Sequence, residues 1–140
     1  MKTASDYFEQ LFSDSIHARY GAVLALRKDG AQVLPKLLSL AQNSDEPYYS
    51  RLAAIDVIRK IADISEPEVA TALRRCLDDE IACIVIDAIN AIEGLRIRSL
   101  IPMVSALVDD ERCDERVQWF TEEQDSVGFA ARKAIDNLRK

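Results

Sequence analysis

Three cysteines, one histidine and a surplus of carboxylates are the residues of this chain that could do chemistry, and their spacing denies them most of it. Metal centres draw on several histidines or on paired donors. His17 stands alone, followed by Ala18, at the expected start of a helix, where it caps or faces solvent. Cys76, Cys83 and Cys113 are odd in number and lack paired metal spacing, so neither a metal site nor a disulfide framework is expected. Cys76 shares an apolar stripe with Val69, Leu73 and Leu77, and Cys83 lies beside Ile84, so both read as small buried hydrophobes. Cys113 falls in a polar stretch, but Glu111 and Asp114 beside it oppose the thiolate that a nucleophile requires. Gly21, Gly30, Gly94 and Gly128 are too scattered to cradle a phosphate. No carboxylate pair is embedded in an apolar run that would push one member upward. A binding protein is therefore expected rather than an enzyme, with no cofactor and no metal.

Charge indicates what such a protein would bind. Residues 109 to 125 hold eight acids and two arginines, a balance of −6 that equals the net charge of the whole chain. A nucleic-acid binder normally shows a basic stripe, so nucleic acid is not the expected partner, whereas a basic protein is compatible. The opening residues Met1 to Phe8 lack the apolar run of a signal peptide, and no stretch approaches the 18 or so apolar residues of a membrane span. With unpaired thiols, these features lead to the expectation of a cytoplasmic protein with no membrane contact.

The elements that must position any binding residues follow from a hidden repeat. Two small or apolar residues, a gap of two, and two more recur at Gly21-Ala22…Ala25-Leu26, Ala53-Ala54…Val57-Ile58, Ile84-Val85…Ala88-Ile89 and Ala130-Ala131…Ala134-Ile135. The starts are 32, 31 and 46 residues apart, and the acidic segment lies in the longest gap. Each copy is the stripe of a helix buried along one side. Three copies are followed by a second apolar run, and Gly30, Asp63 and Gly94 stand between as turn signals, the glycines tolerating a left-handed residue past a helix. Ser65 and Glu68 form a capping-box pattern that starts the intervening helix near Glu66. Helices this short are marginal alone and need stacked neighbours. One all-α domain over 1–140 is expected, with an N-terminal helix at about 4–12 and hairpins at about 15–43, 48–78 and 81–108. The acidic insertion at 109–125 and a last helix at about 126–139 complete it.

The run Arg51-Leu52-Ala53-Ala54-Ile55-Asp56-Val57-Ile58-Arg59-Lys60-Ile61 resembles the first helix of a HEAT repeat, in particular the short bacterial kind named after phycobilisome lyases, and Val127 to Ile135 resembles it too. Leu34-Pro35-Lys36-Leu37 and Ile101-Pro102-Met103-Val104 resemble the proline-bearing start of the second helix. The resemblance spans about residues 15–140 and implies a right-handed α-solenoid of about 3.5 repeats behind an N-terminal capping helix. The family's arginine near the start of the first helix is matched by Arg19 and Arg51, but Ala82 and Gly128 take its place later, and the fourth repeat lacks its second helix. The resemblance implies no single function. The His-Glu ligands of di-iron members and the basic face of glycosylase members are not matched, and chromophore handling of the lyase type stands by analogy alone.

In such a stack the second helices line the concave face, which makes Lys36, Arg74, Arg75, Arg98 and Met103 candidate partner contacts, with the arginines suited to acidic peptide groups. Trp119 and Phe120, flanked by Glu115, Arg116 and further acids, are the second candidate surface. The alternative for Trp119 and Phe120 is that, with Val117, they cover apolar surface left by the missing helix. The expected function is a non-catalytic adaptor or scaffold for another protein or peptide. An immunity or inhibitor protein against a basic toxin, and a lyase-like chromophore-handling protein, are the alternatives.

Overall fold

A computed structural model describes residues 1–117 and 122–140. Among them there are eight α-helices and no strand, so the chain is all-α as its few glycines and prolines imply. No helix among the described residues is long and apolar enough to cross a membrane. The contacts divide the chain into two compact units, Met1–Ala72 and Leu73–Lys140.

The first unit contains α1 (Ala4–Gln10), α2 (Ile16–Asp29), α3 (Leu34–Gln42) and α4 (Tyr48–Ile61). Thr3 starts α1 with a capping box: its hydroxyl accepts from the Asp6 N–H, and the Asp6 carboxylate accepts from the Thr3 N–H at 2.8 Å. Ser15 caps α2, and Pro35 opens α3 at a position where its missing N–H is no loss. Leu11, Leu26, Leu37, Ile55 and Ile58 are fully enclosed and form the core of this unit. Here the helix ends are closed by side chains of the next helices. Ser50 Oγ donates to the Leu11 carbonyl at 2.8 Å, and an Arg19 guanidinium nitrogen donates to the Ser13 carbonyl at 2.8 Å. The Arg19 guanidinium also lies over the Tyr49 ring, 4.3 Å from its centroid. Arg51 is only 1% exposed, and its Nε donates to the carbonyl of Ala41 in the last turn of α3.

Helix α5 (Pro67–Cys76) carries the boundary between the units. It opens one residue beyond the expected start, and the Ser65 N–H is engaged by the Asp63 carboxylate. The second unit continues with α6 (Ala82–Leu95), α7 (Ile101–Ser105) and α8 (Val127–Leu138). Helix α6 buries nine of its residues, Ile84, Ile89 and Ile92 completely, and it packs on α8, which buries Ala131, Ala134 and Leu138.

The turn glycines act differently from expectation. Gly94 lies inside α6, and the left-handed position after the helix belongs to Arg96, with φ 57°. The Ile97 N–H then reaches back to the Ile92 carbonyl, so the helix closes with a Schellman-type turn whose following residue, Ile97, is buried. No glycine has a positive φ. Gly30 is required because a side chain there would collide with the Leu26 carbonyl.

The buried guanidinium of Arg51 makes a first prediction. Arg51→Met keeps the volume but removes the donor to a carbonyl at the end of α3, and should lower unfolding free energy by about 2–3 kcal/mol. Urea unfolding followed by circular dichroism measures this, and an unchanged midpoint would mean that the Ala41 carbonyl finds another partner.

Candidate interaction surface

The N-terminus of α6 poses a local problem. Its N-cap is Ile81, which has no side-chain acceptor, while Ala82 and Cys83 are 2% and 1% exposed. The amides of the first turn of a helix have no partner within the helix. The Glu115 carboxylate supplies one from 33 residues away: Oε2 accepts from the Ala82 N–H and Oε1 from the Cys83 N–H, each at 2.8 Å. Its charge also sits at the positive end of the α6 dipole.

The residues around Glu115 hold it there. Arg116 forms a bidentate pair with Asp114 and reaches Asp87, one turn into α6, at 2.9 Å. Arg112 clasps Asp110 in the same way and donates to the carbonyls of Asp79 and Glu80 in the turn before α6. Both pairs are one local motif, in which the arginine N–H and the guanidinium both bond to the carboxylate two residues earlier. The sequence contains this motif as a tandem Asp-Glu-Arg, at 110–112 and 114–116, a signal that charge counting passes over.

The other side of the segment closes α8. The Val127 N–H donates to the Arg112 carbonyl and the Gly128 N–H to the Asp110 carbonyl, while the Asp114 N–H meets the Asp125 carbonyl. Ser126 caps α8 through its hydroxyl and bridges Cys113 as an isolated antiparallel pair. Gly128 has to be glycine, because a Cβ would lie 2.7 Å from the Val108 carbonyl oxygen and 2.9 Å from that of Asp110. Arg132, one turn further along α8, donates to the Val108 carbonyl and pairs with Glu123. Residues 110 to 116 therefore fasten the starts of two helices at once.

What remains exposed is a cavity of about 460 Å³ between 108–113 and 122–126, with Cys113, Ser126 and Arg132 also on its wall. Of its acids, Asp110 is held by Arg112 and Glu123 by Arg132. Asp109, Glu111 and Glu122 have no cationic partner among the described residues. The cavity can attract a cation.

The residues expected to bind are distributed as follows. Glu115 and Arg116 are adjacent but turned onto α6. Arg74 and Met103 meet in a smaller groove of about 160 Å³, with Leu77, Asp78, Ala106 and Leu107. Arg75 is exposed on α5, and Arg98 Nε donates to the Leu138 carbonyl at the end of α8. Lys36 is exposed on α3, with its ammonium 5.7 Å from the Phe8 ring centroid. Trp119 and Phe120, and with them the choice between a binding loop and a cover, lie outside the described residues.

One cluster could in principle hold a metal ion: Cys83, Asp114 and Glu115 place a donor atom each within 4.8 Å of one another. Their chemistry is already committed. Both Glu115 oxygens accept amides, both Asp114 oxygens accept from Arg116, and burial, with the charge of Glu115, pushes the Cys83 thiol up to about 12. Neutral Cys83 is a core side chain, with no thiolate to act as a nucleophile at neutral pH.

No family profile, curated protein or solved structure matches this chain.

Two predictions follow from this clasp. Glu115→Ala strands two buried amides and should destabilise the protein by about 1–2 kcal/mol, measured by urea unfolding, whereas Glu111→Ala, in the same segment, should change little. The second concerns pH. Partial burial pushes the Asp114 carboxyl up, but hydrogen bonds from the Arg116 side chain and backbone outweigh it and hold Asp114 below its ordinary value. Asp110 is likewise held low, first by its hydrogen bond from the Arg112 side chain. A carboxyl lowered on folding stabilises the fold above its unfolded pKa, and that contribution is lost as pH falls through the folded value. Melting temperature should therefore fall below about pH 4, and Asp114→Asn should flatten that fall while lowering Tm at neutral pH. An identical acid profile in Asp114→Asn would show that Asp114 contributes nothing to acid sensitivity.

Proposed function

We propose that this chain is a non-catalytic protein-binding module of the HEAT-like α-solenoid type, and that its acidic cavity receives a basic segment of a partner protein. One observation carries this reading: Asp109, Glu111 and Glu122 line a cavity of about 460 Å³ without a cation of their own among the described residues, and the 110–116 segment on one side of it is fastened to α6 and α8. Like charges held together repel one another, and a lysine or arginine side chain relieves that repulsion on entering. A rigid acceptor also loses little conformational freedom on binding, which favours affinity.

The repeat pattern supports the architectural half of the reading, with one domain of about 3.5 repeats over residues 1–140. The groove of Arg74 and Met103 adds a second contact of different chemistry, an apolar floor beside a guanidinium. A dedicated inhibitor of a basic protein, the immunity-type reading, is favoured by the same cavity. It differs from an adaptor in having one partner rather than several.

The test uses the full chain and a lysine- and arginine-rich peptide as probe, titrated by calorimetry at low and moderate salt. Binding that weakens as salt rises is expected, and the triple variant Asp109→Asn/Glu111→Gln/Glu122→Gln should weaken it by about tenfold or more with a melting temperature no lower than that of the parent chain. Equal binding by the triple variant would remove the cavity from the function.

A further inference from the structure

Helix α2 is apolar on two sides. Its inner side buries Ala22, Val23 and Leu26. Its outer side carries Ile16, Tyr20 and Leu24 at 68%, 60% and 41% exposure. These three residues are spaced by four, which makes them one ridge along the helix. A contiguous exposed apolar ridge of this kind commonly marks a contact surface.

Gly21 supplies a second observation. It lies in the middle of α2, where glycine disfavours helix relative to alanine. Nothing among the described residues requires it, since a Cβ there would meet no closer atom than Gln10 Nε2 at 3.8 Å, and its φ is an ordinary negative one. The missing side chain leaves a notch on the outer surface, directly beside Tyr20.

The charges at the two ends of α2 decide what fits. Asp14 precedes the helix and Lys28 is in its last turn, and both are exposed and without a partner among the described residues. Side by side in the same direction, two such helices would bring Lys28 against Lys28. In opposite directions, each lysine meets the other copy's Asp14, and the helix dipoles oppose one another favourably. The same antiparallel register lays each Tyr20 ring into the notch of the other copy's Gly21 and sets each Leu24 against the other's His17 and Ile16.

We propose that α2 is a self-association surface, pairing antiparallel with α2 of a second copy of this chain about a twofold axis between Tyr20 and Gly21. Each copy offers the ridge and the notch, as a twofold interface requires. The patch is small, so the dimer is weak and exchanging, with a dissociation constant on the order of 10–100 µM.

Sedimentation equilibrium of the full chain, from about 1 µM to about 1 mM, reads this directly. A monomer–dimer equilibrium is expected, and Leu24→Glu should raise the dissociation constant by about tenfold or more. Gly21→Ala should raise the melting temperature of the monomer while weakening the dimer, a combination that a glycine needed for folding would not give. Lys28→Asp should weaken association and the added Asp14→Lys should restore it, which keeps the test decisive if Leu24→Glu perturbs folding. A single monomeric species through the whole range would overturn the proposal, as would a dimer indifferent to the Gly21 and charge-exchange variants.

Discussion

The first amides of α6 are sealed from water before they are satisfied, and much of the second unit follows from that. Ala82 and Cys83 are almost completely buried, and Ile81 ahead of them offers no acceptor. A buried donor without a partner costs about 1–3 kcal/mol, a large share of the stability of a domain this size. Glu115 removes that cost only if its carboxylate is held at both amides. The Arg116 bridge to Asp87, the Arg112 clasp on the preceding turn and the backbone bonds to α8 all act to hold it. The segment with the greatest charge in the chain is thus first a structural part, and Asp109, Glu111 and Glu122 are its carboxylates without a cationic partner among the described residues.

That division explains how eight acids tolerate one another within 17 residues. Two are neutralised by the arginine two positions on, and a third, Glu123, by Arg132 from α8. Glu115 faces the positive end of a helix, and Asp125 accepts the Glu122 N–H. The repulsion is concentrated in Asp109, Glu111 and Glu122, around one cavity. Repulsion held in a rigid site favours whatever cation relieves it, so the clasp and the proposed recognition depend on one another.

Helical content was legible because apolar stripes at the 3.6-residue period and a scarcity of glycine and proline are properties of the chain as written. Caps made within a few residues involve near neighbours in the chain, as at Thr3 and Ser15, two caps that were not among the expectations. Long-range caps do not. Nothing near Ile81 announces that its helix is capped by residue 115, and nothing near Gly94 announces that Arg96 takes the left-handed position. Glu115 and Arg116 read as surface contacts in the sequence because charged residues in a polar segment ordinarily face solvent, whereas a buried helix end supplies a nearer use for them. The tandem Asp-Glu-Arg was the available signal: an arginine two residues after an aspartate can clasp it locally, which removes both from the pool of free charges.

The starts of α2, α4, α6 and α8 can be compared in the same terms. Arg19 and Arg51, early in α2 and α4, each donate to a carbonyl left open where the preceding element ends. Ala82 and Gly128 stand where such an arginine would be in α6 and α8, yet the carbonyls before those helices are not abandoned. Arg112 reaches those of Asp79 and Glu80, and Arg132, one turn beyond Gly128, reaches that of Val108. At Gly128 no side chain fits, because the backbone of 108–110 passes too close. At Ala82 none is needed, because the segment that brings Glu115 to the amides also brings Arg112 to the carbonyls. Residues 110 to 116 and Arg132 therefore close at α6 and α8 the kind of carbonyl that Arg19 and Arg51 close at α2 and α4.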